Sequence, residues 1–157
     1  MSVVPAALPR AALLAAVAAL LAGCPADDEL VCIEVEPTCA PLYEPTYTNV
    51  FTMTLEPKCS VSNACHAGPA PKAGLDLSDP DAAYAGLTGG ADPLVVPGDG
   101  SCSVMIQRVG STATSLQMPP GNDGRLSAAE VCALQRWIED GAVRDDLPAA
   151  RSTLPTP

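Results

Sequence analysis

The sequence predicts one small helical domain of about four short helices, joined by long Gly- and Pro-rich loops and stapled by disulfides. Three observations predict it. Apolar residues recur at helical spacing in four short, capped stretches. The 17 prolines and 12 glycines crowd the segments between them. Seven cysteines stand against five aromatic residues (one Trp, three Tyr, one Phe). A core this poor in aromatics is marginal on hydrophobic burial alone, so cross-links or a bound cofactor would help it.

The first helix is expected over "YTNVFTMTLEP", where Tyr47, Phe51 and Leu55 fall at i, i+4 and i+8 on one face. Its threonines make a strand the rival reading, and Pro57 is expected to end it just before Cys59. The second follows Asp79 as N-cap, with Pro80 at the first helical position, and runs through "DAAYAGL" to Gly89-Gly90. The third is "SVMIQRV", introduced by the turn "VVPGDGS". The fourth, "SAAEVCALQRWIEDGA", opens on the capping-box pair Ser127 and Glu130 and closes at Gly141. Val131, Leu134, Trp137 and Ile138 form its apolar stripe.

Around this unit, residues 47–145, the chain changes character. Residues 1–23 read as an export signal: Arg10 supplies a basic start, and "AALLAAVAALLAG" is an apolar run too short to span a bilayer comfortably. It ends in "LAGC", which resembles the bacterial lipobox. The resemblance implies cleavage before Cys24 and acyl chains on it. Pro25 follows where an inner-membrane retention Asp often stands, so the expected location is the periplasmic face of the outer membrane, or the cell surface. Residues 24–46, rich in Pro and acid, read as a tether, and residues 146–157 as a disordered tail.

Cys24 aside, six cysteines remain: Cys32, Cys39, Cys59, Cys65, Cys102 and Cys132. An even number in an exported chain points to pairing. Cys32 and Cys39 are close enough in sequence to pair with each other. Cys132 lies off the apolar stripe of the last helix, roughly 100° round. A disulfide partner approaching from the side would explain it, and Cys102 is the natural choice. The expected bonds are thus Cys32–Cys39 and Cys102–Cys132.

Removing residues 1–23 leaves seven Lys/Arg against 18 Asp/Glu, a net charge of −11. Such a chain does not bind nucleic acid; its expected partner is a protein with a basic face.

The chemistry concentrates in "CSVSNACH", residues 59–66, where the sole histidine directly follows a cysteine. In a Cys-x-x-Cys-His site two thiols add across haem vinyl groups and the adjacent imidazole is brought under the iron. Here the spacing is Cys-x₅-Cys-His, so three extra residues must loop out. Met118, in "LQMPPG", offers a soft thioether for the opposite axial position. A gap-filling core methionine is the plainer reading of Met118 taken alone.

Taken together, "CSVSNACH", "GLDLSDPDAAYAGL", "VVPGD", "MPPG" and "CALQRWIEDGA" stand in the order found in exported cytochrome c-like proteins of myxobacteria and planctomycetes, many of them lipoproteins. The sequence resembles that family over about residues 43–143. The resemblance implies an all-α cytochrome c-like fold whose terminal helices, carrying Phe51 and Trp137, cross. It also implies haem c as cofactor, thioethers from Cys59 and Cys65, His66 as proximal and Met118 as distal iron ligand.

The function expected is therefore a lipid-anchored electron carrier and not an enzyme. The only histidine is already used, so no Ser/His/Asp set is available, and there is no glycine-rich phosphate loop. Two alternatives stand beside it. One is a haem-free binding or structural lipoprotein in which Cys59 and Cys65 form a third disulfide. The other is a mononuclear copper site built from His66, Cys65 and Met118.

Overall fold

The computed structural model describes residues 29–34, 36–121 and 124–145. The expected signal segment, the expected lipid site Cys24 and the expected C-terminal tail lie outside them. Among the described residues all regular structure is helical, and no helix is long and apolar enough to cross a membrane.

Helix α1, Tyr47–Val50, is capped by Thr46, whose hydroxyl accepts from the Asn49 N–H. It runs on without a break as a π-helix, Phe51–Cys59. The sequence placed the end of this helix at Pro57, and the structure corrects that. Proline has no N–H to give to the ladder. The turn is widened to i→i−5 bonding, seen where the Ser60 N–H reaches the Leu55 carbonyl at 3.1 Å. The helix so passes its proline and delivers Cys59 on its last turn. Tyr47, Phe51 and Leu55 are all buried, as their spacing predicted.

Helix α2, Pro80–Thr88, is capped as expected: the Asp79 carboxylate accepts from the N–H groups of Asp81 and Ala82 at 3.0 and 2.9 Å. Helix α3 is Val104–Val109. Helix α4, Ala128–Glu139, has both halves of its capping box, with Ser127 Oγ accepting from the Glu130 N–H and Glu130 accepting from the Ser127 N–H. At its other end Gly141 has φ +96°, and the N–H groups of Gly141 and Ala142 return to the carbonyls of Ile138 and Trp137. That is a Schellman motif, which needs a left-handed residue at this point and takes the one that carries no Cβ.

Trp137 and Tyr47 hold the first and last helices together, their ring centroids 5.6 Å apart. Tyr84 meets Tyr47 edge-on at 5.1 Å. Phe51 joins the same cluster through Tyr47, at 6.4 Å. Beyond α4 the chain is fastened too: Trp137 Nε1 donates to the Val143 carbonyl, and the Arg144 guanidinium covers both Tyr47 and Tyr84 while pairing with Asp81.

Both expected disulfides are wrong. The bonds are Cys32–Cys102 and Cys39–Cys132, closing sequence separations of 70 and 93 residues. The reason is where residues 29–46 lie. They do not hang as a free tether; they form a strap antiparallel to α4. The Ile33 carbonyl accepts from Gln135 Nε2, the Pro37 carbonyl from Arg136, and the Leu42 N–H donates to the Ala129 carbonyl. Cys39 is thereby laid beside Cys132, and Cys32 beside the corner that holds Cys102. Cys132 does take a partner approaching from the side, but that partner comes from the strap. The folded unit accordingly begins well before residue 47.

Candidate functional site

The loop 59–66 is pinched shut at its neck, where the His66 N–H donates to the Cys59 carbonyl at 3.1 Å. The residues between are spent on a local turn: Cys65 N–H reaches the Ser62 carbonyl and Ala64 N–H the Ser62 hydroxyl. Val61 to Ala64 are exposed, whereas Cys59, Cys65 and His66 are half-buried. The residues between are thus looped out, and Cys59, Cys65 and His66 stay at the base.

His66 is held on three sides. Its carbonyl accepts from the Leu77 N–H at 2.7 Å, and the Cys65 carbonyl beside it accepts from the Lys72 N–H. Its ring Nδ1 stands 3.2 Å from the Lys72 carbonyl oxygen. A carbonyl can only accept, so Nδ1 is the donor, and the neutral tautomer that this contact selects is the one with its lone pair on Nε2. This is the arrangement by which proteins orient an imidazole for a metal. The tight turn Lys72–Gly74, with Ala73 and Gly74 both at positive φ, brings that carbonyl back over the ring.

Cys59 and Cys65 are free thiols, while the other four described cysteines are bonded. Burial, reinforced by the nearby Cys65, pushes the Cys59 thiol up to about 11. Cys59 is therefore a neutral thiol at physiological pH and not a reactive thiolate.

Met118 is 36% exposed, and its peptide bond to Pro119 is cis. Two anchors hold its loop. The Met118 N–H donates to the Arg108 carbonyl at the end of α3. Buried Gln117 turns its amide inward, donating to the carbonyls of Pro119 (3.1 Å) and Gly121 (2.6 Å). Sequence reasoning passed over Gln117; its place directly before the methionine was the available signal.

Both loops border one groove of about 400 Å³. Pro57, Lys58, Val61 and Cys65 line one side, and Pro119, Pro120 and Gly124 the other. The structure thus brings Cys65 and the segment next to Met118 to one open groove, whereas Cys59, His66 and Met118 themselves are not among its lining residues. Among the described residues no group of three or more His, Cys, Asp or Glu side chains comes together to hold a metal ion.

No curated protein and no solved structure matches the chain. Residues 63–122 match a protein family described as Planctomycete cytochrome C. The matched stretch starts just after Cys59 and contains Cys65, His66 and Met118, so over these residues the chain is similar to that family.

Proposed function

We propose that the protein is a c-type electron carrier that binds one haem and is held at a membrane by a lipid on Cys24. The observation that carries this reading is the 3.2 Å contact between His66 Nδ1 and the Lys72 carbonyl, which leaves Nε2 available as an axial ligand. Cys59 and Cys65 would hold the group as thioethers, and His66 and Met118 would take the axial positions. A haem so held supplies one-electron exchange between Fe(II) and Fe(III). The macrocycle brings four nitrogen ligands of its own, so such a site needs no cluster of acidic or thiolate side chains.

The chain's own residues do the rest. The Lys72 carbonyl orients the imidazole, Gln117 stiffens the methionine loop, and Pro57, Pro119 and Pro120 line the cleft. Val61 and Met118 leave apolar surface at the rim. Around it, the net charge of −11 expected for the lipidated chain favours a redox partner with a basic face.

The deciding experiment is the intact mass and visible spectrum of the full chain expressed with haem-maturation machinery. A Soret band and an added haem mass are expected. A colourless protein with a third disulfide, Cys59–Cys65, would overturn the reading in favour of a haem-free binding module.

A further inference from the structure

The hydroxyl residues along the π-helix are bonded in two ways. Thr52 donates back to the Thr48 carbonyl at 2.8 Å, and Ser60 to the Glu56 carbonyl at 2.7 Å, each satisfied by its own stretch of chain. The Thr54 hydroxyl, fully buried, instead pairs with Tyr43 Oη at 2.6 Å. Tyr43 belongs to the strap. The strap is fixed where it makes this contact: Cys39 is bonded to Cys132, the Leu42 N–H donates to the Ala129 carbonyl, and the Tyr43 ring packs against the core. A cross-linked segment therefore offers the helix a hydroxyl at a set position.

What that contact holds is the register of the helix. A π-helix pairs each N–H with the carbonyl five residues back, which links Cys59 to Thr54. The bond from the Ser60 N–H to the Leu55 carbonyl continues the pattern. An α-helix would link Lys58 to Thr54 instead. Wide turns of this kind usually come singly, so a run of nine residues calls for support from outside the helix. Cys59 packs against the same core as Tyr43 and lies within electrostatic reach of its hydroxyl.

We infer that Tyr43 is a positioning residue for Cys59: through Thr54 it pins the wide register of the first helix, and that register sets Cys59 at the base of the 59–66 loop. The strap cystine Cys39–Cys132 is thereby coupled to the loop, because it is what presents Tyr43. Only the purpose of Cys59, haem attachment, rests on the function proposed above; its positioning does not.

The test follows amide hydrogen exchange by NMR in the haem-free protein. Tyr43→Phe keeps the ring and removes the hydroxyl alone. Exchange of the Cys59 and Ser60 N–H groups is expected to quicken about fivefold or more, while Leu134 and Ile138 in α4 change less than about twofold. Thr54→Val should act alike, the double variant should exceed neither single one, and Thr54→Ser, which keeps a hydroxyl, should hold the wild-type rates. Unchanged exchange at Cys59 in Tyr43→Phe, a rise shared equally by α4, or additive effects in the double variant would overturn the positioning. When the chain is produced with haem-maturation machinery, peptide mass should show Tyr43→Phe losing the Cys59 thioether severalfold more than the Cys65 thioether. Equal yields at the two cysteines would overturn the link to attachment. A wild-type chain without haem would overturn the function proposed above, and the positioning would be decided by the exchange rates.

Discussion

Lys58 Nζ stands 2.6 Å from Glu130 Oε1, joining the last turn of the π-helix to the first turn of α4. Glu130 is almost fully buried and also caps its own helix through Ser127. Burial raises its carboxyl, but the Lys58 hydrogen bond and the Ser127 N–H and hydroxyl outweigh that and hold it below the usual glutamate range. A depressed carboxyl contributes stability that is present above its unfolded pKa and lost as pH falls through the folded one. Lys58→Met is expected to cost about 1–2 kcal/mol, at the low end for a pair because Lys58 is partly exposed. It should also flatten the loss of stability below about pH 4.5. Urea unfolding of the haem-free protein between pH 3 and 7 checks both; parallel acid limbs in wild type and variant would show that the pair contributes nothing.

The two disulfides close long loops, and the chain-entropy relation gives about 4–5 kcal/mol for either one alone. Replacing Cys39 and Cys132 together by Ala should lower the unfolding midpoint substantially without releasing any other thiol. Peptide mapping of the unreduced protein should find 32 joined to 102 and 39 to 132. A 32–39 peptide would contradict the strap.

Gln117→Ala leaves the Pro119 and Gly121 carbonyls without their donor, at an expected cost of about 1–3 kcal/mol. In the loaded protein its effect should fall on the sixth ligand. The weak near-infrared band of a sulfur–iron bond should diminish in Gln117→Ala and vanish in Met118→Ala, while both variants keep covalent haem, since the proposed attachment uses residues 59–66. Undiminished band and potential in Met118→Ala would reduce this loop to a packing element.

Cys59, with its thiol raised to about 11, should resist alkylation in the haem-free protein. At pH 8 only about one thiol in a thousand is ionised at such a pKa. Modification by iodoacetamide, followed by peptide mass, should climb about tenfold per pH unit up to pH 10. Fast labelling of Cys59 at pH 7 would mean that this buried environment is not kept in solution.

Much of this was legible in the sequence, and what was not had a common cause. Caps and stripes are local, so Asp79, the Ser127–Glu130 box and the Gly141 terminus were readable from neighbouring residues alone. The looping-out of 61–64 followed from the spacing. Pairings across the chain were not readable. Cys39 meets Cys132, Lys58 meets Glu130, and the Lys72 carbonyl meets His66 because helices and strap pack in three dimensions, and no local pattern announces that. The strap itself was disguised by its composition: Pro and acid usually mark a solvated linker, and here the side chains of Ile33 and Tyr43 with two cystines outweigh that tendency.

The connectivity also bears on how the protein is made. In chain order the bonded cysteines pair first with third and second with fourth, so the two loops interlock. A chain emerging N-terminus first exposes Cys32 and Cys39 together, long before either proper partner appears, and next exposes Cys59 and Cys65. Oxidation in order of appearance would join neighbours and trap all four wrongly. Correct maturation must therefore wait for residue 132 or repair early errors through thiol exchange, which ties production of this small domain to the cell's machinery for cysteine proofreading.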